Sequence, residues 1–292
     1  MVDSIVRAVT NDNNFRAIAL DATEMMQTAA KFHAASPLGV EILGRTLMSA
    51  LLVSNAVLKG EEHLAVVIDG DGPAGKIVAE ASANGLVRGY VTNAQVNAED
   101  VATAVGNQGF LRVTKEMDEN TEPFTGSVAL TNGNIDDDFT FYMLTSEQIP
   151  SVVMVDIAVD TKGQVQVAGG FIVSALPDAK ESALDQFYAA VENMPKIRTT
   201  LLNHQGPLGL LTKIFGKDQV KALSDEKPAL FPAITKHEYA QLLGTIAMDQ
   251  LLDMYTQDHG AEIVDRFTGE KIAFTAEELQ SIMTQKKQRE QA

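Results

Sequence analysis

An α+β fold is predicted, with an N-terminal antiparallel-sheet core carrying helices, a helical linker and a small α+β C-terminal domain. Three observations predict it. One long apolar helical pattern runs from Ser36 to Lys59, and β-branched runs separated by Gly, Asp, Asn and Pro turns fill much of the stretch from 63 to 173. After "GGFIVSALPDA" the composition then shifts to short helical pieces, followed by a hairpin and a capped helix. These shifts divide the chain into residues 1–177, 178–230 and 231–292.

The first element is a long, mostly buried helix. Ser36-Pro37 places an N-cap before a proline at the first helical position, Leu47 and Leu51 continue the pattern, and Gly60 stops it. "HLAVVIDGDGPAGKIVAEASANGLVRGYVTN" follows as an antiparallel meander. Further strands are expected at Phe124–Leu130, Val152–Val159 and Val165–Val173, the last two flanking a "DTKG" turn. Asp178 and Glu181 form a capping-box pattern, and Leu184, Phe187, Tyr188 and Val191 then recur at the spacing of one helical face. From 178 to 230 the chain reads as short helices broken at Pro195, Gly206-Pro207 and Gly216. In the last segment Thr235 with Glu238 makes a capping box, and Leu242, Leu243, Ile246 and Leu251 continue a helix. Glu262–Thr275 reads as a hairpin, and Thr275 with Glu278 caps the closing helix. The tail "QKKQREQA" is polar and expected to fray.

Composition narrows the function. With 292 residues, 45% hydrophobic and 21% charged, the chain can bury one large or two smaller cores. A formal net charge of −16 argues against sequence-independent binding to nucleic acid or to anionic membrane. No secretory signal is visible at the start. The longest uncharged run of the N-terminal half, Thr46–Leu58, is shorter than the roughly 20 apolar residues of a membrane span, so the expected location is cytoplasmic. There is no cysteine at all, which removes disulfides, thiolate metal sites and cysteine nucleophiles.

Several motifs have bland readings that outweigh the sharp ones. "GDGPAGK", Gly70–Lys76, has the spacing of a phosphate loop. Ile77 stands where Ser or Thr should be, however, and "KIVAEA" alternates like a strand, so a hairpin turn is expected. The acids Asp136, Asp137 and Asp138 lack the alternating ligands and central glycine of a calcium loop, and read as complements to a helix N-terminus capped by Asn134. His33, His63, His204, His237 and His259 form no close-spaced ligand pair, and no Gly-x-Ser-x-Gly occurs. No catalytic or cofactor-binding residue is assigned, and the chain is not expected to be an enzyme. The eleven methionines are scattered like core filler.

Taken in order, "SPLGVEILGRTLMSALL", "LKGEEHLAVVIDGDGPAGKIVAEA", "VRGYV", "SEQIPS" and "AGGFIVSALPDA" resemble the heat-shock protein 33 family of redox-regulated holdase chaperones, over residues 3 to 284. The resemblance implies an α+β core, a helical linker lying on it, a zinc-binding C-terminal domain, no use of ATP and a dimeric active form. It also implies zinc held by a C-x-C and a later C-x-x-C pair. Those positions match Ala233, Thr235, Asp265 and Thr268, of which only Asp265 is a competent ligand, so zinc is expected to be absent. Structural zinc contributes roughly 10–16 kcal/mol to small zinc-finger folds, so other interactions must hold the C-terminal domain. The Thr235 cap, at about 1 kcal/mol, is one replacement. A small core of Ile246, Leu251, Leu252, Ile263, Phe267, Ile272, Phe274 and Leu279 is another, each residue contributing ~1.5–3 kcal/mol if buried.

The resemblance implies an ATP-independent holdase that binds unfolding client proteins, here in a cysteine-free form that thiol oxidation cannot switch. The face of Leu184, Phe187, Tyr188 and Val191 is the candidate for covering or forming the client surface, and packing on a sheet is the bland reading of the same pattern. The alternative is a permanently closed scaffold or partner-binding protein without holdase activity.

Overall fold

The computed structural model describes residues 2–117 and 121–291. They form two compact units, Met1–Phe231 and Pro232–Ala292.

The first unit runs β1 (Ser4–Thr10), β2 (Phe15–Asp21), α1 (Thr23–Phe32), α2 (Pro37–Val57), β3 (His63–Asp69), β4 (Ile77–Ser82), β5 (Leu86–Val91), α3 (Val101–Val105), β6 (Phe110–Glu116), β7 (Phe124–Ala129), α4 (Ile135–Thr145), β8 (Ser151–Val159), β9 (Val165–Ala175), α5 (Glu181–Glu192), α6 (Ile197–Leu202), α7 (Gly206–Phe215), β10 (Val220–Glu226) and β11 (Ala229–Leu230). One antiparallel sheet has the order β10-β1-β2-β9-β8. The other has the order β11-β5-β4-β3-β6-β7, antiparallel except where β11 joins β5.

Helix α2 fills the space between the sheets. Ser36 Oγ accepts from the Gly39 N–H at 3.1 Å and Pro37 opens the helix, as its sequence predicts. Leu47, Leu51 and Leu52 share one core with Ile18 and Leu20 of the first sheet and Leu64 and Val66 of the second. At 21 residues and a mean hydropathy of 1.3, α2 reaches the length and apolarity of a membrane span, which the uncharged run from Thr46 understates because Glu41 and Arg45 lie in its first half. Its apolar surface is instead buried by protein. Arg45 pairs with Glu41 at 3.1 Å and Asp136 at 2.9 Å.

The strands expected at 63–91, 124–130 and 152–173 are present, and both expected turns are made. "GDGPAGK" joins antiparallel strands with no helix after it. In "DTKG" the Asp160 carboxylate accepts from the Lys162 and Gln164 N–H groups, and Gly163 takes φ +79°. The three acids of α4 point three ways: Asp136 to Arg45, Asp137 to Asn132 and Asn134, Asp138 to Thr131. Asn134 sits at the N-cap but makes no side-chain cap bond.

Several elements differ from their sequence reading. No element was expected before residue 36, yet β1 and β2 are central strands. The segment "FRAIALD" is buried on both faces and shows no alternation to read. The 178–230 stretch is not helical throughout, because polar "VKALSDE" becomes β10 by pairing with β1. Asp178 does not cap α5. A turn bonded from Ala179 N–H to the Leu176 carbonyl holds it away, and the Asn14 side chain accepts from Lys180 N–H at the helix entry.

The second unit consists of α8 (Lys236–Leu243), α9 (Met248–Thr256), a hairpin of β12 (Gly260–Val264) and β13 (Lys271–Thr275), and α10 (Ala276–Gln291). Its core gathers Tyr239, Leu243, Leu251, Ile272, Phe274, Leu279, Ile282 and Met283, with Ile246 and Ile263 at its edge. Leu252 was expected in this core but is 49% exposed, and Phe267 is only half-buried outside it. The helix expected to continue from Leu242 through Leu251 breaks after Leu243, leaving Leu242 exposed. The tail expected to fray is helical through Gln291, and Ala292 lies outside the described residues.

Candidate functional site

The candidate site residues singled out in the sequence fall in two places: the outer face of the first sheet, and the start of α8 and the hairpin loop in the second unit.

Strand alternation sends Phe15, Ala17 and Ala19 of β2 to the face away from α2. The register sets Ala17 against Val173 and Ala19 against Phe171 of β9. Small residues on β2 let helices approach closely. Gly169 of β9 leaves open the space that Leu201 of α6 occupies, since a Cβ there would stand 2.5 Å from Leu201 Cδ1. The outer face is thus an apolar floor, and α5, α6 and α7 roof it.

The roof is held by an aromatic cluster and one ion pair. Phe187 is 5% exposed, its ring centroid 5.0 Å from Phe15 and 5.8 Å from Phe215, stacked on the latter. Leu184 and Val191 are half-buried against the same cluster, while Tyr188 is 46% exposed. The structure therefore brings three of the four candidate client residues onto the sheet and leaves Tyr188 outside. A cavity of about 250 Å³ opens beside Phe15, Phe187 and Phe215. On α6, Arg198 Nε and Nη2 donate to the Asp156 carboxylate of β8, the latter at 2.5 Å, and Arg198 N–H donates to it as well. Burial alone would raise the Asp156 carboxyl, but these bonds outweigh it and hold it below its ordinary range. None of α5, α6 and α7 has a side-chain N-cap.

Sequence reasoning missed the floor residues Phe15 and Phe171 and the roof residues Leu201, Leu210, Leu211 and Ile214. The run "GPLGLLTKIF" was a usable signal for α7, being apolar on most of its circumference.

In the second unit, three of the four positions expected to match zinc ligands, Thr235, Asp265 and Thr268, make polar cap and loop bonds. Ala233 is an exposed methyl. Thr235 Oγ1 accepts from the Glu238 N–H, and Glu238 Oε2 accepts from the Thr235 N–H at 2.7 Å, completing the expected capping box. Asp265 is 4% exposed and fully engaged: its carboxylate accepts from the Phe267 N–H at 2.8 Å and the Thr268 hydroxyl at 2.9 Å. Its own N–H donates to the Glu270 carbonyl, and its carbonyl accepts from Gly269, which takes φ +72°. Asp265 and Thr268, the residues expected at the second ligand pair, bond each other. A methyl, two committed hydroxyls and one committed carboxylate do not fit a closed zinc site. Among the described residues no three His, Asp or Glu side chains gather as a metal site.

A family model described as Hsp33 protein matches residues 3–275. The 33 kDa chaperonin of Latilactobacillus sakei is 38% identical, covering 98% of this chain and 100% of its own. That of Levilactobacillus brevis is 36% identical, covering 98% and 99%. The crystal structure of the 33 kDa chaperonin (Hsp33 homologue) of Thermotoga maritima superposes with a TM-score of 0.87 at 30% identity, over 99% of this chain and all of that one. An apolar sheet roofed by short uncapped helices, in a chain aligned end to end with chaperonins, defines the class as molecular chaperone. The chain belongs to the Hsp33 family.

Proposed function

We propose that this protein is an ATP-independent holdase that binds unfolding client proteins through apolar surface, in a form that thiol oxidation does not switch. The supporting observation is the roof of α5, α6 and α7. Lifting it bares Ala17, Ala19, Phe171 and Val173 on the sheet and Leu184, Phe187 and Val191 on the helix, two apolar faces from one opening. Heat is the trigger that suits such a roof, because short helices without caps have little stability apart from their packing. Residues 178–230 are the linker in this reading, with α5, α6 and α7 its movable part and β10 and β11 held in the sheets. Clients are the partners, in the cytoplasm, with a homodimer as the active form.

The test is suppression of client aggregation during heating, with and without peroxide. The expected result is suppression that rises with temperature and is equal in both arms. No suppression under any condition would eliminate holdase activity, and a need for peroxide would eliminate thiol-independent action. The closed polar caps of the second unit favour a second reading, a scaffold that never opens. That reading requires no dye-accessible apolar surface on heating below the unfolding transition.

A further inference from the structure

Arg16 lies on β2 on the face that carries Ile18 and Leu20 into the inner core, beyond the end of that core. It is half-buried, and burial pushes its guanidinium down from the usual value with no neighbouring charge acting on it. Arg7, Arg45, Arg88 and Arg198 each have a carboxylate partner, whereas Arg16 has no hydrogen-bond, ion-pair or ring partner among the described residues. A cation partly withdrawn from water without a counter-charge is costly.

Arg16 lines a cavity of about 720 Å³ bounded by β1, β2, the C-terminal end of α2, the β4–β5 turn, the loop after α4 and β10. Two carboxylates also line it, and both are already neutralised. Glu226 pairs with Arg7 at 2.6 Å; Glu147 pairs with Lys115 at 2.8 Å and accepts from the Tyr142 hydroxyl. The uncompensated charges on the cavity wall are therefore Arg16 and the exposed Lys59, both positive. Asn84 adds donors, since its Oδ1 accepts from Ser82 Oγ while its amide N–H groups are uncommitted among the described residues. A positive, donor-rich hollow stands out in a chain of net charge −16. A guanidinium fork matches the paired oxygens of a carboxylate or phosphate.

We propose that this cavity binds a small oxyanion bearing a carboxylate or phosphate group, held by the Arg16 fork with Lys59 and Asn84 at its rim. The site is separate from the roofed outer face, because Arg16 and Phe15 leave opposite sides of β2. Its walls join six segments of the first unit, so occupancy favours the folded state.

Isothermal titration of the full chain with inorganic phosphate and, separately, with succinate, at constant ionic strength set by chloride, tests this. One saturable site for at least one of the two is expected, and which anion binds assigns the source. Arg16→Gln should weaken binding about tenfold or more. Arg16→Lys, which keeps the charge but loses the fork, should fall between, and Lys287→Gln on α10 should leave binding unchanged. Circular dichroism checks that each variant is folded. No saturable binding of either anion, or equal affinity in folded Arg16→Gln and the parent, would overturn the proposal.

Discussion

The inner face of the five-stranded sheet is closed chiefly by α2, a helix of 21 residues that Ser36 caps and Pro37 starts, with α1 and α4 packed beside it. Its outer face is closed by three helices of 12, 6 and 10 residues, none with a side-chain cap. Both covers bury apolar residues, but α2 is locked between two sheets and the roof touches only one. Losing α2 means losing the fold. Losing the roof exposes apolar surface while the two-sheet core stands, so one sheet carries both a global and a sub-global stability.

If the two covers failed together the difference between them would vanish, and substitutions can grade it. Leu51→Ala, at a fully buried position of α2, should cost about 4 kcal/mol and lower the main transition in calorimetry without a separate earlier event. Phe187→Ala should cost about 3 kcal/mol, read as an early transition with dye binding and aggregation suppression at lower temperature, while the main transition stays. A simultaneous shift of the main transition would mean that roof and core are one cooperative unit.

A third mode of closure operates in the second unit, where short-range polar bonds close the loop. Asp265→Ala strands the Phe267 N–H and the Thr268 hydroxyl and should cost about 2 kcal/mol, seen as faster hydrogen exchange in the β12–β13 hairpin. Arg198→Ala, with the guanidinium partly exposed, should cost the roof about 1 kcal/mol, lowering its transition by about 8 °C, as befits so small a unit. The pH dependence follows from the sign of the Asp156 shift. Its folded pKa is depressed, so the pair's contribution is present above the unfolded value of about 3.9 and is lost as pH falls through the folded value. The roof transition should therefore be flat from pH 5 to 8 and drop below about pH 4, and Arg198→Ala should abolish that drop. The smallest effect is none: a chelator should leave the melting of the second unit unchanged, because its closing bonds run between N–H or O–H groups and carboxylates.

Local signals survived well. Ser36, Thr235 with Glu238, and Thr275 with Glu278 cap the helices their spacing announced, since a cap is decided within four residues. The face of Leu184, Phe187 and Val191 was legible from helical spacing, but not what it faces. Phe15 sits in a strand buried on both sides, and the partner that makes β10 a strand lies more than 200 residues earlier. Asp178 showed the limit of a local pattern, as its capping box lost to a turn fixed by Asn14.

The amino-acid composition alone settles that this protein has no thiol chemistry. A chain without cysteine has no thiol to oxidise, whatever its fold, because composition bounds chemistry before geometry acts. The order of the residues settles the capped helices and tight turns, whose free energies are local. Folding in three dimensions decided the rest: that Asp265 and Thr268 bond each other, that Phe187 meets Phe15 and Phe215, and that Arg16 faces a hollow with no partner. Those outcomes depend on residues far apart in the chain or on side-chain directions within a loop, and neither is encoded in spacing.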